Sequence, residues 1–370
     1  MNKVRSSVFR VSVLMTLIVA LNFVFVATSD ALWSSSRNSA VQTFSGASFS
    51  PVVAPSISST VGDETITLTW PSVTLSGGQL VNYSVMRTPS TGPAVEVCTG
   101  ANAPVQNGGV STCSDTTAVS GTTYTYTEQP IARSGVTPTW TLPASASSTA
   151  VAPKSWVFDS AGSPTISNNN NAQLVSYPTG TVQDDALVLV SVSDRNAAPT
   201  LPSGWTQLAS SGMSSPSAMY LFVAWRRADA GSSVSFRSGT NSQGALTLIY
   251  RYKRLSGNTS APVIAHVAVQ SSNSASSSGF TPPSNVTTNL PGANALSIVA
   301  ISSDATLSLQ TNQNYVFRNT SSATSANAAL GLSIGLGDKF IQSSGSAGAS
   351  PTWSQSGAAT QWMSVAIALA

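Results

Sequence analysis

From Ile57 onward the chain breaks into short segments in which apolar and hydroxyl side chains alternate, separated by Gly, Ser, Asn and Pro. A period of two sends successive side chains to opposite faces of an extended strand. "ETITLTW" (64–70) puts Ile66, Leu68 and Trp70 on one face and threonines on the other. "LVNYSVMRT" (80–88) does the same with Val81, Tyr83 and Val85. No segment beyond Ile57 sustains the apolar stripe of a helix, so the expected fold class is all-β.

A chain of 370 residues carries a prior of two domains. "AVEVC" (94–98), "GTTYTYTEQ" (121–129) and "TPTWTL" (137–142) continue the pattern, and five or more strands over 52–150 suggest a two-sheet sandwich. "LPASASSTAVAPK" (142–154) turns to small residues and proline and reads as a junction. Beyond it, 154–370 holds long runs such as "ALVLVSVS" (186–193), "AMYLFVAWRRA" (218–228), "GALTLIYRYKRL" (244–255), "VIAHVAVQ" (263–270), "NALSIVAIS" (294–302) and "WMSVAIALA" (362–370). Eight or more such strands suggest a larger, jelly-roll-like antiparallel β-sandwich.

In front of both lies a basic stretch (Lys3, Arg5, Arg10) followed by an apolar run from Val11 to Val26. As a helix this run measures about 24 Å, between a signal-peptide core and a full membrane span. Residues 1–31 therefore read as a helical signal peptide or an N-terminal membrane anchor. Ser29 and Ala31 offer small residues for cleavage before Leu32, and 32–51 is a polar linker. An uncleaved segment contacts the membrane only through 11–29 and leaves the body outside the cell. The expected location is extracellular, secreted or tethered to the outer face of the cytoplasmic membrane.

Export changes the reading of charge. Without residues 1–31 the chain loses Lys3, Arg5, Arg10 and Asp30, and 13 basic residues face 12 acidic ones. Near neutrality argues against nucleic-acid partners. The one basic cluster, "YRYKRL" (250–255), reads as a strand end with outward cations rather than a phosphate site. Charged residues are only 8% of the chain, while 41% hydrophobic content suffices for a packed core and argues against wholesale disorder. Cys98 and Cys113 read as a structural disulfide, whose 15-residue separation is worth about 3 kcal/mol in loop entropy.

Trp70, Tyr83 and "SGTTYTY" (120–126) resemble, by position, the fibronectin type III fold, with a Cys-bounded insertion in place of a short middle strand. The resemblance implies a spacer or presentation module. In 154–370, "QDDALVLVSVS" (183–193), "LPSGWTQL" (201–208), "MYLFVAWRRAD" (219–229), "LIYRYKRLSG" (248–257) and the passage 336–370 resemble in order a β-sandwich module of bacterial surface and phage tail or fibre proteins. That resemblance implies display, attachment or host contact, and no reaction.

Chemistry is thinly provided for. His266 is the single histidine and alternates with Ile264 and Ala268, which suits a core or edge position. No catalytic residue is assigned, and the expectation is a non-enzyme without a required cofactor. Asp184 and Asp185 are adjacent, so a strand would point them apart. A Ca²⁺ site joining Asp184 or Asp185 to Asp194 and loop carbonyls is one candidate, since Ca²⁺ takes oxygen ligands. Trp205, in its Pro-Gly loop, and Trp353 are candidates for stacking on a sugar ring, against the alternative that Trp205 plugs a sheet end. Three functions stay open: a spacer presenting a module for adhesion, matrix or surface-protein binding; a protein that binds extracellular polysaccharide, linked to its processing; and a phage-derived or fibre-type structural subunit.

Overall fold

The computed structural model describes residues 31–34, 45–48 and, with short internal gaps, 55–370. The proposed export helix and Ser29 lie outside the described residues. Ala31 and Leu32 begin β1 (Ala31–Ser34), which pairs antiparallel with β2 (Ser45–Ser48). Every sheet that follows is antiparallel, and no helix among the described residues is long and apolar enough to cross a membrane.

The first sandwich comprises β3 (Ser58–Val61), β4 (Ile66–Pro71), β5 (Leu80–Pro89), β6 (Val95–Val97), β7 (Val105–Asn107), β8 (Val110–Asp115), β9 (Tyr124–Arg133) and β10 (Thr139–Thr141). Its two sheets run β3-β4-β8-β7 and β10-β9-β5-β6. The alternation in "ETITLTW" works as expected: Ile66, Leu68 and Trp70 are buried, and Trp70 meets Tyr83 edge-on at 5.2 Å. The Tyr124 hydroxyl accepts from the Val119 N–H (3.1 Å), pinning the turn ahead of β9 as a tyrosine corner does. The disulfide is present, with its Cα atoms 5.8 Å apart. The Cys-bounded insertion was expected to replace a middle strand. It instead contains a short 3-10 turn (Gly100–Asn102) and β7, because Gly108 and Gly109, both with positive φ, fold it back onto β8.

The remaining strands build two sheets by one recipe. The first half holds β11 (Trp156–Ala161), β12 (Thr165–Ser167), β13 (Gln173–Ser176), β14 (Ala186–Ser193), β15 (Thr206–Met213), β16 (Met219–Arg227), β17 (Ser233–Phe236) and β18 (Ala245–Arg254). Its sheet is β11-β18-β14-β16-β15, with β12 also on β18, and β13 and β17 pair as a separate ribbon. The second half holds β19 (Ile264–His266), β20 (Gln270–Ser272), β21 (Thr287–Thr288), β22 (Ala293–Ile301), β23 (Leu307–Gln310), β24 (Val316–Thr324), β25 (Gly331–Ile341), β26 (Gly345–Ser346), β27 (Thr352–Gln355) and β28 (Trp362–Leu369). Its sheet is β19-β28-β22-β25-β24, with β20 also on β28, and the ribbons are β21-β26 and β23-β27.

The halves agree residue by residue in register. Val188 lies between Trp225 and Tyr250, and Leu296 lies between Asp338 and Ile367. The edge strands share one irregularity, a bulge at Leu208 in β15 and at Arg318 in β24. Residues 154–370 are thus an internally repeated β-sandwich rather than the single jelly roll expected. Strands leave the main sheet to form a covering ribbon and return within each half, not across the whole. "VIAHVAVQ", read as one strand, is two short ones (β19 and β20), matching the break between β11 and β12.

The two main sheets pack face to face through one core, with Val188, Val190, Leu221, Leu248 and Tyr250 against Leu296, Ile298, Ile334, Leu336 and Val365. The ribbons cover the outer faces. Strands β14, β22 and β28 are consequently buried along their whole length, which explains their unbroken apolar runs.

Candidate functional site

Trp205 and Trp353 do not offer a face to a sugar. Trp205 is 5% exposed, packed with Phe222, Phe236 and Leu189 under the first ribbon, with Arg226 over its ring at 5.8 Å. Trp353 is fully buried and donates from Nε1 to the Ser297 Oγ (3.0 Å). Both close the outer faces of the sheets; for Trp205 this is a plug, set on a sheet face rather than at the sheet end expected.

The proposed Ca²⁺ group is dispersed. Asp184 and Asp185 precede β14 and Asp194 follows it, so they lie on the order of 25 Å apart along the strand. Asp185, 1% exposed, binds the Arg251 Nε at 2.6 Å and accepts from the Val182 N–H; Asp184 faces Arg227 and Arg254. Asp194 accepts from the Gly244 N–H. No group of three or more His, Cys, Asp or Glu able to hold a metal occurs among the described residues. In "YRYKRL", Tyr250, Arg251 and Tyr252 are buried, and Arg251 also bonds Asp159 at 2.9 Å, so the cluster is not a free basic patch. His266 is exposed on the edge strand β19.

The structure assembles a different site, where the mouth of the inter-sheet space meets the first sandwich. Here β11 contributes Val157 and Phe158, while β24 and β25 contribute Val316, Arg318, Asp338 and Phe340, around a cleft of about 200 Å³. Val157 and Phe158 also wall an open trough of about 550 Å³ that reaches Asp63 and Thr65 of the first sandwich and Lys253. Small-molecule sites of about 300–1,000 Å³ favour such domain junctions.

At the cleft's floor the Arg318 Nε meets the Asp338 Oδ1 at 2.6 Å, and the guanidinium lies over Phe158 at 5.4 Å. Asp338 is 2% exposed and takes a second bond from the Tyr252 hydroxyl (3.3 Å), across the two sheets. Burial pushes the Asp338 carboxyl above its ordinary range, although Arg318 opposes the shift. Asn294 donates to the Trp156 carbonyl. Lys154 binds Asp63 at 2.6 Å and lies over Phe340 at 5.7 Å, tying the junction residue to both domains. The Gln342 Nε2 reaches the Ala150 carbonyl at 3.1 Å across the same boundary.

Sequence reasoning passed over this cleft because its residues come from four separated segments, and Arg318 and Asp338 look unremarkable in each. A usable signal was the charge left in otherwise apolar strands, Asp338 inside "GLSIGLGDKFI" above all. No protein-family model matches this chain, and no curated protein sequence matches it.

Proposed function

We propose that the chain is an exported, non-enzymatic surface or secreted protein, in which a fibronectin type III-like module carries the repeated β-sandwich for adhesion, matrix or partner binding. The observation that carries this reading is the built junction. Lys154 and Gln342 fasten the two sandwiches together, and the open trough is walled by both. A fixed junction suits a protein that holds a ligand site in a defined orientation.

Support for the fibronectin-like part comes from strand order, β3-β4-β8 facing β10-β9-β5, and from the Tyr124 corner. The disulfide is compatible with an oxidising exterior. Fractionation of expressing cells with N-terminal sequencing tests the export. Affinity capture and a glycan array with the exported chain test the binding, and capture of nothing would sink it.

A second reading, binding of extracellular polysaccharide, is favoured by the cleft itself, where Phe158 and Phe340 stand beside Arg318 and Asn294. Aromatic rings with a few fixed polar groups are the usual furniture of a sugar site.

A further inference from the structure

We propose that the cleft at Arg318 clamps the carboxylate of an acidic sugar, a uronate unit within a polysaccharide. This rests on the reading of the cleft as the binding site and names the ligand class. Register places Leu208, Trp225 and Ala186 where the second half has Arg318, Asp338 and Asn294. Leu208, Trp225 and Ala186 join the apolar core, so the fold accepts an apolar filling at these positions. An ion pair taken out of water generally stabilises no more than apolar residues of similar volume. The polar set in the second half is therefore not something the fold requires.

Among the described residues, Arg318 is engaged through one nitrogen alone. Its Nε is held by Asp338 and its plane rests on Phe158, while both Nη groups lack a hydrogen bond among the described residues. A fixed planar fork with open N–H groups matches a carboxylate bidentately. Lys154 is already paired with Asp63, so the Arg318 fork is the cationic group that an incoming carboxylate meets. The adjoining trough presents Asp63, Asp159, Thr65 and Lys253, which can accept from and donate to hydroxyls. One carboxylate flanked by neutral, hydroxyl-bearing units is the chemistry of a polysaccharide with isolated uronate residues, whereas a polyuronate would bring further carboxylates to Asp63 and Asp159. A dianionic phosphate would meet the two aspartates along the trough.

Calorimetric titration of the full chain with an oligosaccharide carrying one uronate unit and with the neutral oligosaccharide of equal length tests the proposal. The acidic oligomer should bind at least about tenfold more tightly than the neutral one. Arg318→Lys keeps the charge and a partner for Asp338 but loses the fork, and should weaken acidic binding by about tenfold or more. Arg318→Leu with Asp338→Asn, which imports the first half's apolar residue without orphaning a charge, should abolish that preference without lowering the melting temperature. Equal binding of both oligomers, unaffected by Arg318→Lys, overturns the carboxylate clamp and leaves the binding reading standing. Binding of neither oligomer, with a protein or a peptide C-terminus captured instead, overturns the proposal. A chain that captures nothing at all removes both.

Discussion

The two halves of the repeated sandwich share one path and register but fill their outer faces in opposite ways. In the first half the sheet supplies Phe222, which meets Phe236 from the ribbon at 5.7 Å. The equivalent position in the second half is Gly335, and the ribbon supplies Trp353, whose ring lies where a side chain at 335 would go. Likewise Asp185 and Arg251 form a buried ion pair, whereas the corresponding Ala293 and Ala368 sit in an alanine-rich patch. Total filling is conserved between the halves while the identity at each position is not. Close packing constrains the sum of volumes across an interface more tightly than any one residue.

The ion pair offers the largest test. Arg251→Ala leaves Asp185 buried beside Val182 without its cation and should cost about 3–5 kcal/mol in urea unfolding. The double change Asp185→Ala with Arg251→Ala imports the second half's solution and should recover most of that loss. If the double variant is as unstable as the single one, the halves are not interchangeable at this point, and the comparison fails there.

A pH titration gives the next effect. Glu128 is fully buried on the core face of β9, and both carboxylate oxygens lack a hydrogen bond. Burial raises its pKa from 4.5 to about 7. The folded state keeps a proton that the unfolded chain releases, so stability is greatest below about pH 4.5 and falls until about pH 7. The loss is about 3 kcal/mol. Melting of the first sandwich should therefore drop between these limits, and Glu128→Gln should flatten the curve. Asp338, raised in the same direction by burial, adds a slope of the same sign to the second half. The first half has Trp225 at that position and no such contribution, so Asp338→Asn should remove it.

Much of the fold was legible in the sequence, and the reasons are local. Alternation in 64–70 and 80–88 reports a half-buried sheet, and Cys98 and Cys113 were close enough in sequence to imply their bond. The repeat was not legible, because the halves share parity and register rather than residues. Phe222 against Gly335 looks like no relation until the partner strands are known. Burial on both faces also erased the alternation in β14 and β28. Trp205 admits both readings in sequence because its own loop is polar, whereas the cover that decides between them comes from Phe236, remote in sequence. The cleft was hidden for a similar reason, since strand pairing alone brings Phe158 to Arg318.

Gly335→Ala probes the volume exchange more gently. A Cβ there would stand 2.7 Å from the Trp353 Cζ3, so the ring or the strand must shift, at about 1–3 kcal/mol. Adding Trp353→Phe, a smaller ring, should return part of that cost. No recovery would mean that the strand rather than the ring sets the limit.

The smallest expected effect concerns Asn294, whose counterpart in the first half is Ala186. Its amide donates to the Trp156 carbonyl, at the start of the strand that opposes the second sheet. Asn294→Ala leaves that carbonyl without its side-chain donor and should cost about 1 kcal/mol. The reverse change, Ala186→Asn, places an amide among apolar neighbours of the first core and should cost more, about 1–3 kcal/mol, unless it finds a partner. Measuring both by urea unfolding separates two accounts of the asymmetry. Unequal costs in this order mean that each half has fitted its own residues to its own neighbours. Equal, small costs would mean that the mouth tolerates either residue, and that the polar lining of the cleft is free to serve a ligand.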